Sequence, residues 1–224
     1  MKREILLSDI SEENLLSSND MAKLDARGCA GCSYCCREMT DTIILDPWDV
    51  YLLAKGLGAG DKNNISLSYL LSEGKAELAV YEGLTLPHLA AADSGKGMSC
   101  VFLDSNDRCS IHPFRPGLCR LFPLGRLYEN DTFYYFLQSG ECKKNERTEV
   151  EISKWLGIKN LKAYEDYILS WHEIQENIKA YLKNCDDENA KKINMTMLSL
   201  FYLLPYEPGR DFYEQFEERK KRIS

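Results

Sequence analysis

Eight of the nine cysteines in this chain lie between Cys29 and Cys142, and four fall within Cys29-Ala-Gly-Cys32-Ser-Tyr-Cys35-Cys36. No other feature constrains the fold as strongly. Buried free cysteines pack as small hydrophobes and scatter through a sequence. Thiols spaced by two residues instead let one short loop wrap a single metal centre. An odd total of nine also fits a fully paired disulfide framework poorly. The opening residues Met1-Lys-Arg-Glu-Ile-Leu-Leu-Ser-Asp hold an apolar run too short for a signal peptide. No segment approaches the ~20 apolar residues of a membrane span. The expected location is therefore cytoplasmic, with no membrane partner. Reducing conditions there favour metal ligation or thiol redox chemistry over disulfides. A net charge of −7 gives no global argument for a nucleic-acid partner.

At 224 residues the chain can form one large domain, or a smaller domain with a helical extension. The expected division is a polar arm or short helix over 1–27, a cysteine-bearing domain over 28–145, and a helical extension over 146–224 packed on it. Thr42–Leu45 reads as a short strand. Asp46-Pro47-Trp48-Asp49 reads as a helix start: Asp46 caps, Pro47 fits the first helical position, and Asp49 suits the dipole. Gly56 or Gly58 can end that helix. A second helix is expected over about Ser66–Tyr81. Glycines and prolines between Leu84 and Gln138 predict loops and short strands, with Leu124–Tyr128 and Thr132–Leu137 as a hairpin.

Beyond Cys142, Leu161, Tyr164, Ile168, Trp171, Ile174, Ile178 and Tyr181 recur at helical spacing. A further helix is expected over 188–204, broken by Pro205 and Pro208, and a last one from Asp211 to about Arg222. Trp48, Trp155 and Trp171 are expected in the core. Arg219-Lys-Lys-Arg222 reads as a solvated helix end. The fold class is α+β: mainly helical, with an irregular cysteine-rich core, short strands and a helical C-terminal third.

Cys29-x2-Cys32-x2-Cys35 has the spacing of the first three ligands in a bacterial ferredoxin. Gly28 and Gly31 allow the backbone to fold tightly there. The match fails at the fourth ligand, because Cys36 follows Cys35 directly. Adjacent side chains diverge in regular backbone, so Cys35 and Cys36 are expected to serve different centres, or one of them to stand behind the other. Further ligands must come from Cys100, Cys109, Cys119 and Cys142. Arg108, Arg115, Arg120 and Arg126 crowd the same region. Guanidiniums there can stabilise thiolates or clamp a carboxylate or phosphate, and Arg115 and Arg120 can instead pair with Asp104 or Asp107. Cys185 stands apart on a polar stretch.

These residues resemble a cysteine-cluster family with a zinc- or iron-chelating domain. Its opening C-x2-C-x2-C-C is matched by Cys29, Cys32, Cys35 and Cys36. Its second block is matched by Cys100, Phe102, Leu103, Cys109, Ile111, Arg115, Pro116, Cys119, Arg120, Phe122 and Pro123, with Cys142 as the late cysteine. His112 departs from the usual tyrosine, which raises it as a ligand or acid–base candidate. The resemblance implies a metal or iron–sulfur site on these eight cysteines, with Arg115 and Arg120 binding or holding charge beside the cofactor. The same motif occurs in the flagellin lysine methylase, associated with a 4Fe–4S cluster and S-adenosylmethionine-dependent methyl transfer.

Three readings follow. The first is an iron–sulfur protein acting on another protein or a small substrate, with a methyltransferase as its most concrete form. The second is a non-catalytic zinc module that organises a partner surface or buffers metal. The third is a thiol redox protein using Cys35 and Cys36. No Gly-rich phosphate loop, Ser–His–Asp set or Rossmann fingerprint is present, and the radical-enzyme spacing C-x3-C-x2-C is absent.

Overall fold

The structure, a computed structural model, describes residues 14–25, 32–37, 41–62, 64–95, 97–138, 141–144 and 146–223, without the side chains of 61 and 62. Strand β1 (Met21–Asp25) comes first. Helices α1 (Pro47–Gly56) and α2 (Leu67–Ser72) lead into strands β2 (Ala76–Tyr81) and β3 (Leu84–Leu89). Strands β4 (Ala91–Asp93) and β5 (Met98–Cys100) follow, then the one-turn helix α3 (Gly117–Leu121). Strands β6 (Leu124–Glu129), β7 (Thr132–Leu137) and β8 (Thr148–Glu151) precede the short helix α4 (Ile152–Leu156). Three longer helices close the chain: α5 (Leu161–Leu182), α6 (Asp187–Met197) and α7 (Phe212–Lys220). The strands pair antiparallel as β1–β8, β2–β3, β4–β5 and β6–β7. The α+β expectation holds.

Two compact units emerge. The first comprises the described residues within Met1–Thr40, Ala91–Ser110 and Leu118–Lys162. Its core is Ala22, Leu24, Leu121, Leu124, Tyr135, Ile152 and Leu156. Residues 21–25 form a strand rather than the expected arm or short helix. Ala22 and Leu24 are buried while Met21 and Lys23 are exposed, the two-residue period of a half-buried strand. Met21 pairs with Glu151, so β1 and β8 tie together chain on either side of the cysteine segments. The expected hairpin is present as β6–β7, turning through Asn130 and Asp131, both at positive φ (51° and 58°). This is the backbone of a two-residue hairpin turn. Gly125 lies opposite Phe136, and a Cβ at Gly125 would run into that ring.

The second unit comprises Asp41–Ala90, Ile111–Gly117 and Ala163–Ser224. Helix α1 starts as the sequence dictates: the Asp46 carboxylate accepts from Asp49 N at 2.8 Å, and Asp49 accepts from Asp46 N at 3.2 Å. The helix expected over Ser66–Tyr81 stops at Ser72. Gly74 takes φ +60°, and the Gly74 and Lys75 amides turn back to the carbonyls of Leu71 and Leu70. Residues 76–81 become β2 instead, paired with β3 across the turn Glu82-Gly83. Thr42–Leu45 is not a full strand: Ile44 forms an isolated bridge to His88, flanked by Leu45 N–Pro87 O and Leu89 N–Ile43 O bonds.

Helix α5 buries Tyr164, Tyr167, Ile168, Trp171 and Ile174. Trp48 and Trp171 are core residues as expected, and Trp155 packs against the core of the first unit. Helix α6 runs on through a π-helical turn at Leu198–Leu203. Here Arg219 corrects the expectation of a solvated helix end, being only 4% exposed. It donates to the carbonyls of Leu200 (3.0 Å), Leu204 (3.0 Å) and Pro205 (2.9 Å). Its guanidinium lies 3.5 Å from the Tyr206 ring centroid. A widened turn leaves carbonyls without intrahelical partners, and this cation satisfies them.

Candidate metal centre

The seven described cysteines from Cys32 to Cys142 all belong to the first unit, and none forms a disulfide with another described residue. Cys29, Gly28 and Gly31 lie outside the described residues. The first loop ends in a tight 3₁₀ turn, Tyr34–Cys36, closed by Cys36 N to Ser33 O at 2.9 Å and Arg37 N to Tyr34 O at 3.2 Å. Arg37 fastens this turn to the second cysteine block. Its Nε donates to the buried Ser33 hydroxyl at 2.8 Å, and its guanidinium pairs with Asp107. Its backbone bridges Ser99 antiparallel, which sets Cys36 opposite Cys100 at the end of β5.

Cys100 and Cys109 sit at the two ends of one turn. Asp104 Oδ1 accepts from Asn106 N at 2.8 Å and from Arg108 N at 2.9 Å, folding the turn on itself. Leu103 then bridges Cys109, and Ser110 donates to the Phe102 carbonyl through both its amide and its hydroxyl. Phe102 is buried and anchors the turn. Cys119 is half-buried on α3, two residues before the core residue Leu121. Next to Cys142, Lys143 Nζ lies 5.4 Å from the Tyr34 ring centroid, linking that late segment to the first loop.

Electrostatic influence runs between the two cysteine blocks. Cys36 is pushed strongly upward, first by a hydrogen bond with Cys35, then by burial, then by repulsion from the thiolates of Cys35, Cys100 and Cys119. Burial pushes Cys100 up to about 11; an N–H bond from Phe102 works against this, while Cys109 and Cys35 add to it. Cys36 therefore feels Cys35, Cys100 and Cys119, and Cys100 feels Cys35 and Cys109. Gathering ionisable sulfurs this closely disfavours every thiolate unless a cation sits among them, so the donor chemistry suits a soft metal.

Cys35 Sγ and Cys36 Sγ are 3.9 Å apart. Four sulfurs at about 2.3 Å from a tetrahedral metal stand about 3.8 Å from one another. The neighbouring thiols therefore do not diverge as regular backbone would have them, because the 3₁₀ turn carries them to one side. Among the described residues, no group of three or more His, Cys, Asp or Glu side chains is closed to metal-binding distance.

Of the two arginines singled out, Arg120 is buried in the first unit with the cysteines and donates to the Leu156 carbonyl at 3.4 Å. Arg115 belongs to the second unit, where Nη1 contacts His112 Nδ1 at 2.9 Å. His112 is exposed in the turn His112–Phe114, and Arg115 occupies its ring nitrogens. The partner of Asp107 is Arg37, and Asp104 serves its own turn. Sequence reasoning passed over Arg37 and Lys143. The position of Arg37 directly after the cysteine pair was the available signal. Cys185 is remote in kind: it lies in the second unit, donating to Leu182 O at 3.7 Å.

A thiol-lined turn clasped to a second thiol-bearing block defines a metal-chelating protein. Residues 28–148 match the family CxxCxxCC, described as "Putative zinc- or iron-chelating domain". The match covers more than half of the chain, and the chain belongs to this family. No curated protein and no solved structure matches it. No described helix is long and apolar enough to cross a membrane.

Proposed function

We propose that this chain holds an iron–sulfur cluster of the 4Fe–4S type. Its ligands are drawn from the loop of Cys29, Cys32, Cys35 and Cys36 and from Cys100, Cys109 and Cys119, with Cys142 at the margin. The observation that carries this reading is the antiparallel Arg37–Ser99 bridge, which brings the turn of Cys35 and Cys36 alongside Cys100 and supports one donor set drawn from both cysteine blocks. The C-x2-C-x2-C spacing and the surplus of thiols over one tetrahedral site support a cluster. When bound, the cluster would supply redox or Lewis-acid chemistry.

The test is iron and acid-labile sulfide content, with the visible spectrum, on protein purified without oxygen. About four irons and four sulfides per chain, with a broad thiolate-to-iron band, support the reading. A colourless protein free of sulfide sinks it. Cys32→Ala should lose the chromophore, and unchanged iron content would remove Cys32 from the ligand set. The further step to a protein-lysine methyltransferase rests on the resemblance alone. Its test is S-adenosylmethionine binding by the loaded chain and not by the metal-free chain.

The 3.9 Å Cys35–Cys36 separation favours a second reading, a mononuclear zinc site in a non-catalytic module that engages a partner. Two sulfurs that close suit one tetrahedral ion better than a cubane, whose irons each take one cysteine. One or two zincs without sulfide would establish it.

A further inference from the structure

The seven described cysteines of the first unit differ in their access to solvent. Cys35 is exposed, Cys36 is half-buried 3.9 Å away, and Cys100, opposite Cys36 across the Arg37–Ser99 bridge, is buried. No other described cysteine is exposed. The thiols therefore form a ladder from the surface inward, its outer two rungs near enough to touch one metal ion at once.

We propose that Cys35 is the entry thiol of the site: it is the first sulfur to bond a thiophilic metal that arrives in a dissolved low-molecular-weight complex, and Cys36 bonds second while Cys35 stays attached. This rests on the reading that the Cys36 region binds metal, and applies to the cluster and mononuclear forms alike. Exchange of metal between ligands is associative, so the incoming sulfur must reach the metal before the carrier lets go. Only an exposed thiol can do so while the carrier is still attached.

In the first step the Cys35 sulfur forms a bond to the metal, one carrier–metal bond breaks, and the proton of Cys35 leaves with the carrier atom. In the second, Cys36 forms its bond and displaces the next carrier atom, again exchanging a proton for metal. The metal keeps its oxidation state throughout, so neither oxidant nor reductant is needed. Arg37 serves as a positioning residue: through Ser33, Ser99 and Asp107 it holds the turn so that the outer thiols stay side by side.

The experiment follows zinc leaving the chromophoric chelator 4-(2-pyridylazo)resorcinol for the metal-free chain. Cys35→Ser should take up zinc at least tenfold more slowly than the parent, whereas Cys36→Ser should keep the parent's initial rate, whatever amount each chain finally holds. A Cys35→Ser chain that loads at the parent rate overturns the proposal. So does a Cys36→Ser chain slowed as much as Cys35→Ser, since entry would then not belong to Cys35. A parent chain that takes no zinc from the chelator overturns the proposal, whereas the metal-binding reading beneath it stands or falls on the iron, zinc and sulfide content of the purified chain, and the two failures are thereby told apart.

A second measurement needs no variant. Limited iodoacetamide treatment of the unmutated, metal-free chain, read by peptide mass spectrometry, should modify Cys35 ahead of Cys36, Cys100, Cys109 and Cys119. Any of those four reacting first overturns the proposed order.

Discussion

Replacing Asp104 by alanine should weaken metal binding although Asp104 touches no metal. The carboxylate accepts from two backbone amides, Asn106 N at 2.8 Å and Arg108 N at 2.9 Å, and so closes the turn whose ends present Cys100 and Cys109. Asp104 is exposed, so water replaces part of each lost bond. A loss of about 0.5–1 kcal/mol per bond, or about 1–2 kcal/mol together, is the scale for such a site. Metal binding that must order a loosened turn bears that cost directly. At 1.4 kcal/mol per tenfold, affinity should fall by about 5–30-fold. Asp104→Asn keeps the accepting oxygen and should lose less than about threefold on the same scale. The assay is zinc competition against a chromophoric chelator at fixed pH and ionic strength. An Asp104→Ala chain within twofold of the parent would refute the claim that this turn prepares the donor set. Equal damage from asparagine would shift the cause from the hydrogen bonds to the charge.

Further outcomes concern the scaffold. Arg219→Met should lower unfolding free energy by about 3 kcal/mol in urea titration, because three carbonyls lose a buried cationic donor; a change below about 0.5 kcal/mol would contradict its role. Gly125→Ala should cost about 1–3 kcal/mol, read as a lower midpoint, since the new methyl meets the Phe136 ring; a neutral result would mean that the hairpin relaxes freely. Chelating the metal should open the first unit to limited proteolysis within 91–110 and 118–160, while far-UV helix signal persists from the aromatic core of the second; collapse of the whole helical signal would contradict that separation.

Local chemistry was legible where it acts over a few residues. Asp46-Pro47-x-Asp49 dictated the start of α1, and Glu129-Asn-Asp131 dictated the β6–β7 turn. Pairing between distant segments was not. Nothing near Met21–Asp25 announces that its partner is Thr148–Glu151. Residues 76–81 look helical in isolation, and only Gly74 at positive φ, with β3 alongside, makes them a strand. Arg219 reads as one of four surface cations because the carbonyls that bury it lie 14 to 19 residues away. The cysteines were visible as a set, since ligand spacing is written locally. Their arrangement was less so: the side-by-side placement of Cys35 and Cys36 depends on a 3₁₀ turn, and the link from Cys36 to Cys100 depends on Arg37 bridging Ser99.

The most direct test of the central claim is metal content per chain across a cysteine panel, purified without oxygen and checked for retained helix signal. If one centre joins the two cysteine blocks, Cys36→Ser and Cys119→Ser each lose most of the bound metal, while Cys185→Ser keeps all of it. Full metal content in Cys36→Ser or in Cys119→Ser would contradict the account.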